Sequence, residues 1–147
     1  HNSPRRQRQM CIRDRFSIQR MITYDDLVEL SKSATFEIKR TSKHVAVLMN
    51  GADIEGVFTN RYAWHAEELA VAHYLSHNHK MKRLKLYVGR INSINKMSRP
   101  CRHCSIMLKR FPNIRVFYTD ESGTWVEESD YATEHVSHRR SMLGYCR

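Results

Sequence analysis

Apolar and polar positions along the 147 residues change period several times, and each change predicts an element. The run His44–Met49 is nearly all apolar and of strand length. Asn50-Gly51 follows it. That dipeptide favours the left-handed turns of tight hairpins, so Glu55–Thr59 is expected to return antiparallel. Leu84, Leu86 and Val88 alternate, and Ile91 follows after Gly89, which predicts a strand over Leu84–Ile91. Ile114–Tyr118 and Thr124–Glu127 predict two more strands around a turn at Asp120–Gly123. Helical spacing lies between these runs. Leu27, Val28 and Leu30 give an apolar side to a helix over Thr23–Ser33, with Thr23 or Asp25 as its cap. Trp64–Lys80 predicts a second helix that buries Leu69, Val71, Ala72 and Leu75. A polar loop over Asn92–Arg99 leads into a third helix, which is expected to run to about Arg110.

Strands and helices in this alternation predict a layered α/β domain. The length predicts one domain. About four residues join the last two strands, whereas a parallel crossover needs about a dozen, so these strands are expected to pair antiparallel.

Composition adds a core and a charge. Hydrophobic residues make up 41% of the chain, and the formal net charge is +10. Six arginines against one aspartate in residues 1–20, and three arginines against one glutamate in residues 134–147, leave only +3 for residues 21–133. The domain itself is thus mildly basic, and its charge alone does not argue for nucleic acid. Domain boundaries are expected accordingly: a basic tail over 1–20, the domain over 21–133 and a polar segment over 134–147. Within the tail, the run RQRQMCIRDR looks like translated sequencing-adapter sequence; the alternative is a basic arm that grips phosphate. The longest apolar run is too short to span a membrane, and no secretory signal is visible. Four cysteines fit a reducing, intracellular compartment better than a disulfide framework. Cys11 and Cys146 are read as incidental thiols.

Candidate chemistry is concentrated in two clusters. His65, Ala66 and Glu67 open the second predicted helix, and Pro100, Cys101 and Cys104 open the third. Cys101 and Cys104 are three residues apart and share a face if a helix starts there. Pro100 suits the first helical position. A helix N-terminus also favours thiolate over thiol. A C-x-x-C alone can be half of a structural zinc site or a redox pair, but neither uses His65 and Glu67. Structural zinc sites want four protein ligands, and the chain has no second C-x-x-C. His65, Cys101 and Cys104 make three ligands, the number that leaves a catalytic zinc one position for water. Zinc lowers the pKa of bound water from about 16 towards about 7, and Glu67 is placed to shuttle protons.

H-A-E … P-C-x-x-C is the signature of zinc-dependent base deaminases, and over roughly residues 22–129 the chain resembles the cytidine deaminase superfamily. The resemblance implies a three-layer domain: a mixed five-stranded sheet with helices on both faces. It implies Zn2+ held by His65, Cys101 and Cys104, with Glu67 as the catalytic proton carrier and water as co-substrate. The expected antiparallel end of the sheet is similar to the hairpin branch, which includes free cytidine deaminases and many toxin and organelle editing domains.

Departures bear on the substrate. Classical free cytidine deaminases carry Cys in place of His65, and their nucleoside-binding segment is not intact here. The tRNA adenosine deaminases carry an acid where this chain has Arg99. Phe58-Thr59-Asn60-Arg61 resembles the strand end that holds ribose in several deaminases, which makes Asn60 a substrate-binding candidate; the alternative is a turn or helix-capping residue. Arg61, Arg90, Arg99, Arg102 and His103 flank the motifs, with Tyr62 and Trp64 as adjacent aromatics. Basic side chains among aromatics can track phosphates while stacking bases. Asn60, Arg61, Trp64, Ala66, Arg99 and His103 are accordingly the expected substrate contacts. The expected reaction converts cytosine to uracil in DNA or RNA. The alternatives are a free cytidine or deoxycytidine substrate, and a binding module that keeps the zinc fold. His73 and His77 are one helical turn apart but lack an accompanying H-E-x-x-H carboxylate, and with His79, His135 and His138 they are read as solvated.

Overall fold

The computed structural model describes residues 22–32, 43–61, 63–77 and 83–129. The expectations for residues 1–20 and 134–147, and those for Tyr62 and His79, lie outside the described residues. Five strands and three helices follow one another as α1 (Tyr24–Ser31), β1 (Lys43–Asn50), β2 (Asp53–Thr59), α2 (Ala66–His77), β3 (Leu84–Ile91), α3 (Arg102–Lys109), β4 (Ile114–Thr119) and β5 (Trp125–Glu127). The strands form one sheet in the order β2-β1-β3-β4-β5. Only β3 and β4 are parallel, and the other three pairings are antiparallel. The protein is thus an α/β domain with a mixed five-stranded sheet whose last two strands are antiparallel.

Turn chemistry fixes both hairpins. Gly51 has φ +63°, the left-handed region that a two-residue hairpin loop demands, and Asn50 pairs with Asp53 across it. The register shifts between Leu48 and Met49, so β2 begins two residues earlier than the alternation indicates. At the other hairpin, Asp120 Oδ1 accepts from the backbone N–H groups of Ser122 and Thr124. That is a side chain imitating a turn.

Strand pleating divides the core in two. Ala46, Leu48, Leu84, Leu86, Val88, Ile114 and Val116 face one side and pack against Ala66, Ala70 and Val71 of α2 and Met107 and Leu108 of α3. Val45, Val47, Met49, Tyr87, Ile91 and Phe117 face the other side, where Ile22 and Leu27 and Leu30 of α1 cover them. Helices therefore lie on both faces. Thr23 caps α1, and Asp26 returns the bond to its backbone, a capping box. Eight residues are too few for a helix to hold itself in water. Burying Leu27, Leu30 and Ile22 at roughly 1.5–3 kcal/mol each is what keeps it. Gly89 permits the approach, because a Cβ there would run into Leu27.

Two expectations about helices need correction. The buried side of α2 is Ala66, Glu67, Glu68, Ala70 and Val71, whereas Ala72 and Leu75 are exposed and Leu69 is half-buried. Apolar residues surround this helix, so spacing alone does not set its rotation. The inward-facing His65, Glu67 and Glu68 set it instead. Trp64 and His65 also precede the first helical residue. Pro100, likewise, is not the first residue of α3. Cys101 is the N-cap, extended at ψ 169°, and Arg102 is the first helical residue. No helix among the described residues is long and apolar enough to cross a membrane.

Candidate metal centre

Two helix beginnings meet on the α2/α3 side of the sheet. At α2, His65 occupies the N-cap position. Its backbone N–H donates to Glu68 Oε1 at 2.9 Å, which is half of a capping box, and the Ala66 N–H donates to Asn60 Oδ1 at 2.9 Å. Asn60 closes β2 and so ties the strand end to the helix start. At α3, the chain arrives along β4. Ser98 N–H donates to Thr119 O at 3.0 Å, Ser98 Oγ donates to Val88 O at 2.7 Å, and the Thr119 N–H donates to Ser98 Oγ at 2.8 Å. Buried Ser98 thereby locks the approach to Pro100 and Cys101 onto β3 and β4.

The two starts bring His65 Nδ1 to 3.6 Å from Cys101 Sγ and 3.3 Å from Cys104 Sγ. His103 Nδ1 and Nε2 lie 3.2 and 3.3 Å from Cys101 Sγ. All four residues are buried, and their donor atoms lie within 4.8 Å of one another. Zinc–sulfur bonds of ~2.3 Å and zinc–nitrogen bonds of ~2.0–2.1 Å at tetrahedral angles separate neighbouring ligands by about 3.6 Å. Donor types and spacing therefore fit a zinc-sized cation.

Electrostatics agree. The hydrogen bond with Cys104 holds the Cys101 thiol down at about 4, with further help from His65, while Cys104 is held well above the usual thiol range by the same bond and by burial. One proton is thus shared by two sulfurs, a proton that a bound cation would displace. Burial works against a charged His65, but its hydrogen bond to Cys101 and the charges of Cys101, Glu67 and Glu68 raise its pKa overall. Burial lowers that of His103.

Glu67 stands beside this cluster and outside its ligand set. It is 3% exposed, and its Oε1 has no hydrogen-bond partner among the described residues. Burial, then the Cys101 thiolate, push its carboxyl up to about 7, against the opposing pull of its own backbone N–H and of His65.

The three expected ligands are brought together, and His103, expected as a substrate contact, lies in the same buried group of possible donors. From sequence alone His103 groups with the basic flank, since a histidine inside a C-x-x-C reads as rim until the start of the helix is fixed. Glu68 was also missed. The signal was there: with His65 as N-cap, Glu68 falls on the third helical position, where a capping box places its acid.

The remaining candidates divide. Arg61 is exposed and exchanges backbone hydrogen bonds with half-buried Trp64. The Ala66 N–H is already used by Asn60. Arg102 is exposed. Arg99 forms a two-pronged pair with Glu128, Nε to Oε2 at 3.1 Å and Nη2 to Oε1 at 3.3 Å. His73 and His77 stack with ring centroids 4.4 Å apart, and no third ligand-type residue joins them among the described residues. No family model, curated protein or solved structure matches this chain.

Proposed function

We propose that this protein is a zinc-dependent hydrolytic deaminase of a nucleobase, acting on cytosine in DNA or RNA. The observation that carries the proposal is Glu67: a buried carboxyl oxygen without a partner among the described residues, interacting with Cys101 and His65 of a group at ligand spacing. A structural metal site has no use for such a group, and leaving it unpaired costs stability. Zinc bound there would supply an activated water at neutral pH. His65, Cys101 and Cys104 would hold the ion. Glu67 would take one proton from the water as its oxygen bonds to the amino-bearing carbon and pass it to the ring nitrogen, then move the second proton from the new hydroxyl to the departing amine. The bond from carbon to the exocyclic nitrogen breaks, a carbonyl forms, and ammonia leaves. Exposed Arg61 and Arg102 beside the two helix starts, with Trp64 adjacent, support a polynucleotide substrate.

A free cytidine or deoxycytidine, as nucleoside or nucleotide, is the second reading. The Arg99–Glu128 pair favours its nucleoside form, because it engages one cation expected to meet phosphate.

The test is to incubate the zinc-loaded protein with single-stranded DNA, duplex DNA, RNA, cytidine and dCMP. Oligonucleotides are sequenced and ammonia is measured, at two salt concentrations. Cytosine-to-uracil changes that weaken with salt are expected, since each neutralised phosphate releases counterions. Conversion of cytidine or dCMP alone would select the second reading. Ammonia from none of the five would overturn both.

A further inference from the structure

His103 differs from every other basic residue near the site. It is 2% exposed, and a buried imidazole needs partners for its nitrogens. Among the described residues both of those nitrogens lie near the same polar atom, Cys101 Sγ, at 3.2 and 3.3 Å. Its other close neighbour is the His65 ring, edge-on at 4.4 Å between centroids. Among the described residues, the hydrogen-bonding contacts of His103 are therefore all with Cys101. With zinc on Cys101 Sγ, that sulfur shares its charge with the cation and becomes a poorer acceptor. Among the described residues the imidazole would then be left without an adequate partner, unless one of its nitrogens binds the same ion. The nitrogen–sulfur separations around the cluster, 3.2–3.6 Å, are close to one edge of a zinc tetrahedron.

We propose that His103 is the fourth zinc ligand of the resting protein, closing a Cys2His2 site, and that it must leave the ion before water can take that position. The proposal rests on the zinc reading of this site but not on the deaminase reading. Glu67 then lies beside a site that opens, and its unpaired oxygen faces the chemistry only in the opened state.

Cobalt(II) replaces zinc as a visible reporter, and azide probes for an open position. Wild-type protein is expected to bind one cobalt with tetrahedral absorption bands that do not change as azide is added. His103→Ala should bind cobalt at least about tenfold more weakly, given that even outer partners of metal ligands cost ~10–100-fold when removed. Its bands should shift with azide. His103→Cys should stay closed, with stronger thiolate-to-cobalt absorption and no azide response. Azide-sensitive bands in the wild type would overturn the proposal, even if His103→Ala failed to fold. So would equal cobalt affinity in wild type and His103→Ala. Failure of the wild type to bind one cobalt would instead overturn the zinc reading itself.

Discussion

Asn60 offers a perturbation whose size can be worked out before it is measured. Its Oδ1 accepts the Ala66 N–H at 2.9 Å, and Ala66 is fully buried behind half-buried Asn60, so water replaces that bond poorly. Loss of a capping side chain costs about 1 kcal/mol, with a range of roughly 0.5–2. A buried N–H left without an acceptor costs about 1–3 kcal/mol. These describe one event, so Asn60→Ala should lower stability by about 1.5–2 kcal/mol. For a domain of this size that is a fall in Tm of about 3–6 °C. Asn60→Asp keeps the acceptor beside a helix N-terminus that tolerates negative charge, so it should stay within about 0.5 kcal/mol of the parent. The Asn60 amide nitrogen has no hydrogen-bond partner among the described residues and is available to a ligand. Asn60→Asp removes that donor, so on a turned-over substrate it should raise KM while leaving the fold intact. Urea unfolding at fixed zinc, followed by kcat and KM, reads both effects. An Asn60→Ala protein as stable as the parent, or an Asn60→Asp protein as unstable as Asn60→Ala, would refute the capping argument. An unchanged KM in Asn60→Asp would remove Asn60 from the substrate site.

Three further outcomes are expected. Cys101→Ser and Cys104→Ser should each lose stoichiometric zinc by elemental analysis, and full retention in either would remove that cysteine from the ligand set. Glu128→Gln should cost about 1–3 kcal/mol in urea unfolding, below the roughly 3–5 of a fully buried pair, because Arg99 is 32% exposed and stays partly hydrated; Arg99→Gln added to it should cost less than the two changes summed. Gly89→Ala should cost about 1–3 kcal/mol by forcing fully buried Leu27 off the sheet, and an unchanged urea midpoint would show that α1 repacks without penalty.

Local chemistry made most of the fold legible in the sequence. Asn50-Gly51 and Asp120–Gly123 announced both hairpins, because few residues accept those backbone angles. The short link between β4 and β5 dictated their pairing by reach alone. Leu84–Ile91 was legible in extent, but alternation did not reveal that Tyr87 and Ile91 are buried on the opposite face, as a central strand between two layers requires. The rotation of α2 was not legible, because Leu69, Ala72 and Leu75 are as apolar as Ala70 and Val71. Only the polar residues at its start distinguish the two sides. At the site, His65, Cys101, Cys104 and Glu67 were legible from residue type and spacing. His103 was not, since its inward direction depends on Cys101 being an extended cap rather than the first turn of α3. Nor was the Arg99–Glu128 pair, which spans 29 residues and forms only once β5 is in place.

The most direct test of the central claim compares wild type with Glu67→Gln, both checked for zinc, on a cytosine substrate with uracil and ammonia as products. The account predicts one zinc per chain in each protein, conversion by the wild type, and a rate lower by about 10²–10⁴-fold in Glu67→Gln, the usual worth of a positioned proton carrier. Conversion by Glu67→Gln at the wild-type rate would contradict it, as would a fully zinc-loaded wild type that releases no ammonia.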